Sequence, residues 1–404
     1  MRRVVLTGVG MHTPMGDDPS AVFERILKGE HGCVAMPHWG EIDSLKTSVG
    51  APVPSFDGRH IPRKTRRTMG RVAVLAASAA ERAVADANLP PGVLQSGRTG
   101  VVVGSTAGSS VAEGEFWTQV HRHTSRGIRS TTFFQGMAHT CAANVALLLG
   151  VVGEVFATNS ACSSANQAIG LGADRIRMGR SDVVLAGGAE ELHHAAAIIF
   201  DALGAATRKP DPDQTPRPFQ RGRDGIVVGE GAGIVVLESL EHARDRGAKI
   251  LGEVLGFGTS CDAVHMSSAA PEGMVAAIER CLADAGMSAD AVDYVSAHAT
   301  GTVGGDQAEA EALFRVFGDR PPVSSLKGHL GHTLGACGAL ETILALQSLH
   351  RGIVPSTRGL TDPDVAPIFL PTELLERQVG RVLNTNFAFG GVNSVLLLGH
   401  LEAP

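Results

Sequence analysis

Short apolar runs bounded by small residues recur along the first part of the chain. Arg3 to Gly8, Val101 to Gly104, Glu154 to Ala157, Asp182 to Ala186 and Gly231 to Leu240 each predict a buried strand. Between them, apolar residues at three- and four-residue intervals predict helices over Pro19 to Lys28, Arg66 to Asn88 and Gly136 to Gly153. A further helix follows Cys162, with Ala165, Ile169, Leu171, Ala173 and Ile176 at helical spacing. Gly29 to His60, rich in Pro and Gly, reads as a surface connection, and Lys209 to Asp224 as a polar, proline-rich loop. A second series begins near Gly258, with helices over Met274 to Ala285, Asp306 to Phe317 and Ala336 to His350. Its strands are Asp293 to Ala297 and segments near Val382 and Val395. The alternation predicts an α/β protein with a mostly parallel sheet covered by helices on both faces. Both series end strands in small-residue loops that hold His, Cys or Lys, which points to an internal duplication, although residue identity between the halves is too low to count as a repeat.

Composition narrows the class. The 404 residues suffice for one large α/β unit or two medium domains, and 44% hydrophobic with 19% charged residues is the balance of a globular enzyme. A net charge of −6 offers no field for a polyanion, so nucleic acid is excluded as a partner. The six cysteines contain no CxxC pair, and Thr7, Gly8 and Gly10 break the N-terminal apolar run before it could serve as a signal peptide. Reduced thiols and a cytoplasmic protein are expected. The uncharged segment Gly136 to Gly153 approaches membrane-spanning length, but His139, Thr140, Asn144 and its glycines identify it as a buried helix, and no membrane association is expected.

The candidate chemistry centres on Cys162, in Asn159-Ser160-Ala161-Cys162-Ser163-Ser164, where a strand turns into a helix. Free amide N–H groups and the helix dipole at such a turn favour a thiolate and could hold an oxyanion. A small buried core cysteine is the competing reading, and this stretch alone leaves both open. Three other places would have to converge on Cys162 for nucleophilic catalysis: Ser296 to Thr302 with His298, Ser325 to His332 with Lys327, and the glycine turn Asn386 to Asn393. Each lies just beyond a strand or at a helix entry, where α/β sheets build their sites. Asp306 and Glu309 read as N-terminal helix charges and stay outside the catalytic set. His298, His329 and His332 lack a Cys or carboxylate at metal-ligand spacing, so no metal is expected.

The spacing of Cys162, His298, Lys327 and His332, with the turn Phe387-Ala388-Phe389-Gly390-Gly391-Val392-Asn393, resembles the β-ketoacyl-acyl carrier protein synthases, the condensing enzymes of fatty-acid and polyketide synthesis. The resemblance covers essentially the whole chain and is to the elongating type I and II synthases, with Gly188-Ala189-Glu190-Glu191-Leu192 and Phe200 to Ala205 nearest the type I branch. It implies a thiolase-like five-layer αβαβα fold of two similar halves, residues 1–257 carrying Cys162 and 258–404 carrying His298, Lys327 and His332. By the same resemblance Cys162 is the acyl-accepting nucleophile, His298 and His332 stabilise the malonyl enolate, and Lys327 with its partner Glu341 orients the site. Thr300 and Thr302 hold the pantetheine arm, and Phe389, ahead of Gly390 and Gly391, gates the cleft and completes the oxyanion hole. Phe200 and Ala107 border the acyl chain, and a small residue at Ala107 implies room for medium to long chains. The basic run Arg63, Lys64, Arg66 and Arg67, with Arg122, Arg126 and Arg129, is either the dock for an acidic acyl carrier protein or a solvated face. A homodimer is implied, with a heterodimer beside a chain-length-factor-like subunit as the alternative. No cofactor is implied beyond the phosphopantetheine of the carrier.

Three stretches depart from the family pattern: Ala299 and Gly301 in His-Ala-Thr-Gly-Thr, Ala388 before Phe389, and Val392 after the double glycine. They leave the catalytic residue types in place and bear on substrate preference, so a specialised pathway is as open as housekeeping fatty-acid synthesis. A thiolase would carry a second catalytic Cys where Phe389 stands, and a starter-unit synthase would carry Asn in place of His332. A non-catalytic partner subunit would lack Cys162.

Overall fold

In the computed structural model, which describes residues 1–401, ten strands join edge to edge into one sheet. The first series supplies β1 (Val4–His12), β2 (Thr99–Gly104), β3 (Val155–Thr158), β4 (Val183–Glu190) and β5 (Gly231–Ser239). The second supplies β6 (Gly252–Cys261), β7 (Tyr294–Ser296), β8 (Val323–Ser324), β9 (Arg381–Ala388) and β10 (Val392–Gly399). Their order across the sheet is β8-β7-β9-β10-β6-β1-β5-β4-β2-β3. Numbered within its own series, each half therefore runs third, second, fourth, fifth, first from the outer edge to the seam. The two halves share one topology, and they meet where Val5 and Leu6 pair with Glu253 and Gly252.

Seven helices matter for the site: α1 (Arg71–Asp86), α2 (Thr140–Leu149), α3 (Ser164–Arg177), α4 (His194–Ala202), α5 (Pro271–Ala285), α6 (Val303–Phe317) and α7 (Cys337–Arg351). The core divides into three large apolar clusters, one for each helical layer. In the central cluster, Ala168, Ile169 and Ala173 of α3 and Leu340 and Ile343 of α7 pack with Val184 and Leu237 of one half and Val382 and Leu398 of the other. Helices α1 and α2 cover the outer face of the first half, and α5 and α6 that of the second. The result is the thiolase-like αβαβα sandwich. The middle layer requires small residues because each helix lies close to strands: a Cβ at Gly170 of α3 would fall 2.3 Å from the Phe257 ring.

Several sequence expectations are corrected. The sheet is mixed, with five of its nine strand pairings antiparallel. One physical reason is that β9 returns directly into β10 through Phe389–Gly391, a connection too short for the crossover that a parallel pair needs. The helix expected over Gly136 to Gly153 is shorter, Thr140–Leu149, because Met137 is extended and Gly150 closes it in the left-handed conformation; it is not buried throughout, since Leu147 is 72% exposed. The helix expected from Arg66 starts at Arg71, after Gly70 with ψ near 177°. Strand β3 is not buried: Val155 and Phe156 are 41% and 44% exposed, because β3 is the outer edge of the sheet. The segment Gly29 to His60 is partly core, since Trp39, Val49 and Ala51 are fully buried. The division after residue 257 falls inside β6.

Candidate active site

The nucleophile candidate is presented by a strained turn. After β3, Ala161 adopts φ +49°, a left-handed conformation costly for a residue with a Cβ, and the single turn Ala161–Ser163 leads into α3. Short side chains hold this turn. Ser164 Oγ donates to the Ala161 carbonyl at 2.7 Å and accepts from the Ser160 amide at 3.0 Å, and Asn159 Nδ2 donates to the Ser105 carbonyl at 2.8 Å. From α7, the Cys337 thiol donates to the Cys162 carbonyl at 3.3 Å.

The second half brings both histidines to this thiol. His332 follows Gly331, and its amide donates to the Val227 carbonyl at 2.7 Å. Its Nε2 lies 3.0 Å from Cys162 Sγ. The His298 ring stands edge-on to that of His332, with centroids 5.2 Å apart. Sγ and one nitrogen of each ring fall within 4.8 Å of one another, a grouping a metal could also use, but no fourth Cys, His or carboxylate joins it among the described residues.

Asp306 and Glu309, set aside in the sequence as helix charges, build the His298 loop. Glu309 accepts the amides of His298 and Ala299 at 2.8 and 2.6 Å, and Asp306 accepts those of Thr300 and Gly301 at 2.9 and 3.1 Å. Arg223 lies 3.3 Å from Asp306, and both are buried. Two carboxylates three apart on a helix face otherwise made of Ala308, Ala310, Ala312 and Leu313 were the available signal, since exposed helix charges do not share a face with core residues.

Lys327 lies behind the histidines and does not line the cleft. Its Nζ is bound to Glu341, whose other oxygen accepts from Asn386 Nδ2 at 2.8 Å, and that amide is 3.5 Å from His298 Nδ1. A cleft of about 470 Å³ opens over Cys162, lined by His298, His332, Thr300, Thr302 and Phe389. The hydroxyls of Thr300 and Thr302 are 3.1 Å apart, and the rings of Phe389 and Phe200 stack at 5.7 Å. Gly390 and Gly391, at φ +82° and +69°, make the turn that carries Phe389. Ala107 is half-buried and stands outside this cleft. Arg63, Lys64 and Arg67 are exposed on a short turn, and Gln135 donates to the Arg67 carbonyl at 3.2 Å.

Residues 1–243 match the family model for the β-ketoacyl synthase N-terminal domain, and residues 251–361 match that for the β-ketoacyl synthase C-terminal domain. The chain belongs to the β-ketoacyl synthase family. It is similar to Nodulation protein E of Rhizobium meliloti (strain 1021), 40% identical over 405 residues and 98% of each chain. A β-ketoacyl synthase from Burkholderia phymatum STM815 superposes with a TM-score of 0.97 at 41% identity over the whole of both chains. The ishigamide ketosynthase/chain length factor does so with a TM-score of 0.92 at 34% identity, covering 99% of this chain and 100% of that one.

Electrostatics in this synthase are governed by burial. Cys162 is 6% exposed, and burial pushes its thiol up to about 12, against a weaker downward pull from Lys327. The thiolate favoured from the helix terminus alone is therefore not the resting form. Burial, then the Lys327 charge, drives His298 and His332 well below the usual imidazole range, so both rings are neutral. Burial opposes the charge on Lys327, but contact with Glu341 outweighs it and raises the ammonium above its usual value.

The histidines set a testable slope. An unfolded histidine titrates near pH 6.5, whereas these remain neutral in the fold, so the unfolded chain takes up protons first as pH falls. The stability each contributes is complete above about pH 6.5 and is lost below it, at about 1.4 kcal/mol per pH unit. Glu190 and Glu309, pushed up to about 7 by burial, act in the opposite direction and cancel when variant and parent are compared. In urea unfolding at pH 7.5, 6 and 5, His332→Asn is expected to lose less stability on acidification than the parent. Equal losses would contradict the neutral assignment.

Proposed function

We propose that this β-ketoacyl synthase extends an acyl thioester by two carbons through decarboxylative condensation with a malonyl thioester, both delivered on an acyl carrier protein. The observation that carries this reading is the 3.0 Å contact between Cys162 Sγ and His332 Nε2, with the neutral His298 ring beside it at the base of the cleft. Cys162 attacks the acyl thioester, the carrier sulfur departs and takes up the thiol proton, and the acyl group remains on Cys162. During attack the His332 Nε2–H stabilises the charge developing on sulfur. Once the sulfur is acylated, the same N–H and that of His298 are free to bind the malonyl thioester carbonyl. Loss of CO₂ then leaves an enolate held by two neutral donors, as in an oxyanion hole. The enolate carbon attacks the acyl carbonyl, the C–S bond to Cys162 breaks, and the thiolate takes up one proton from solvent, replacing the one that left with the carrier sulfur. The amides of Cys162 and Phe389 are assigned to the tetrahedral oxyanion. Lys327 and Glu341 position His298 through Asn386. No cofactor or metal takes part in this scheme.

Thr300 and Thr302, at the rim, are placed to bind the amide groups of a pantetheine arm. Arg63, Lys64 and Arg67 are assigned to an acidic carrier surface, with Arg122, Arg126 and Arg129 on the neighbouring segment. The outer edge of β3 leaves backbone donors and acceptors unpaired and shows Val155, Phe156 and, on α2, Leu147. A second copy added along that edge would cover them, which supports a homodimer. The similarity to the ishigamide ketosynthase/chain length factor supports, as the second reading, a related but non-identical subunit at the same edge. A cytoplasmic location agrees with six free thiols, and no helix among the described residues is long and apolar enough to cross a membrane.

The two half-reactions separate the roles. Cys162→Ala is expected to abolish condensation while retaining malonyl-carrier decarboxylation. His298→Ala and His332→Ala are each expected to slow decarboxylation by about 10²-fold or more, measured as CO₂ release. Undiminished release from both histidine variants would overturn their assignment.

Acyl length is the finer question. Ala107 lies outside the cleft of a single chain, so the proposed acyl pocket beyond Cys162, bordered by Thr106, Ala107 and Phe200, is completed by the partner copy. Each CH₂ that enters such a pocket contributes about 0.8 kcal/mol, roughly fourfold in rate. Ala107→Ile is expected to cut rates on long acyl-carriers while sparing short ones. Equal losses on both would contradict the open pocket.

A further inference from the structure

The turn that presents Cys162 has a counterpart in the second half. Leu334–Ala336 is a single tight turn leading into α7, as Ala161–Ser163 leads into α3. Leu334 stands at φ +46°, as Ala161 stands at +49°, so a strained residue opens each turn. By position Gly335, second in its turn, is the counterpart of Cys162. Its amide is occupied. It donates to Glu190 Oε2 at 3.0 Å, and the same oxygen accepts the Thr106 amide at 3.1 Å and the Thr106 hydroxyl at 2.7 Å.

Glu190 is 4% exposed, at the end of β4, and its neighbours leave no slack. A Cβ at Gly335 would fall 2.8 Å from Ser105 Cα and 2.9 Å from the Thr106 nitrogen, and a Cβ at Gly188 would fall 2.4 Å from the Gly335 carbonyl oxygen. The loop at Thr106, the turn after His332 and the end of β4 thus touch through backbone, and one carboxylate oxygen holds three donors that bridge the two halves. Gly335 lies three residues after His332, and Thr106 adjoins Ala107.

We propose that Glu190 is a positioning residue of the synthase, a buried carboxyl group that locks the Thr106 loop to the Leu334–Ala336 turn and thereby holds His332 against Cys162. The proposal rests on the assignment of His332 to the malonyl carbonyl. Above pH 7, where the assay is run, the group is mostly the carboxylate, which accepts more strongly than a neutral amide, so Glu190→Gln weakens all three bonds without opening a cavity. The strained turn then relaxes and His332 shifts, and displacement of about 1 Å at a reacting centre can cost about 10²-fold in rate.

The test is malonyl-carrier decarboxylation by the full chain, with sites counted by mass spectrometry as the fraction of the Cys162 peptide that iodoacetamide alkylates, distinct from the exposed Cys261. For Glu190→Gln, kcat per titrated site is expected to fall about tenfold or more with KM within about twofold of the parent. Thr106→Val, which removes only the hydroxyl donor, is expected to fall about threefold, consistent with loss of one hydrogen bond. A role confined to stability would lower the number of titratable sites but not kcat per site. Parental kcat per site in both variants overturns the proposal, and if Glu190→Gln does not fold, parental kcat in Thr106→Val does so alone. His332→Ala measured alongside separates the two levels. If it too retains parental decarboxylation, the His332 assignment has failed. If it is slow while the Glu190 and Thr106 variants are not, only the role of Glu190 has failed.

Discussion

Burial of the contact between Cys162 and its two histidines is the constraint on which the rest of the structure depends. Burial keeps both imidazoles neutral and the thiol protonated, so the site offers hydrogen-bond donors in place of charges. Neutral donors suit an enolate, since a cationic imidazole would surrender its proton to the carbanion. A buried site also limits quenching of that carbanion by water before it reaches the acyl group. Lys327 supplies the one nearby positive charge, and Glu341 keeps it fixed behind the rings. Removing either partner would leave the other buried and uncompensated, which makes the pair a structural requirement of the buried site.

The duplicated topology is what makes such a site possible. In each half the chain leaves the outermost strand and makes a tight turn that feeds a central helix, and α3 and α7 then pack side by side between the halves. Cys162 comes from the first half, and His298, His332 and the Phe389 turn from the second, so the reactive atoms meet only when the halves are fully docked. Two left-handed residues, Ala161 and Leu334, are tolerated because the packed backbone around them leaves no alternative.

Much of this was legible in the chain. The cysteine at a strand-to-helix turn, the histidines after strands and the Phe-Gly-Gly turn are local features, and their chemistry follows from residue type and spacing. The five-layer fold came through resemblance to a family, since apolar runs alone do not separate parallel from antiparallel pairing. What escaped was set by tertiary contact. Asp306 and Glu309 looked like exposed helix charges until the His298 loop folded over them. Val155 and Phe156 looked like core because their apolarity belongs to a face that a single chain does not cover. The thiolate expected at a helix terminus was overruled by depth, which no local pattern encodes.

The central claim is that Cys162 carries the acyl group as a thioester. The most direct measurement is the intact mass of the protein after incubation with an acyl-carrier thioester and no malonyl donor, followed by mapping of the modified peptide. The account predicts a gain of one acyl group on the peptide containing Cys162, removed by hydroxylamine and absent from Cys162→Ala. An unmodified parent protein, or an acyl group on any other residue, would contradict it.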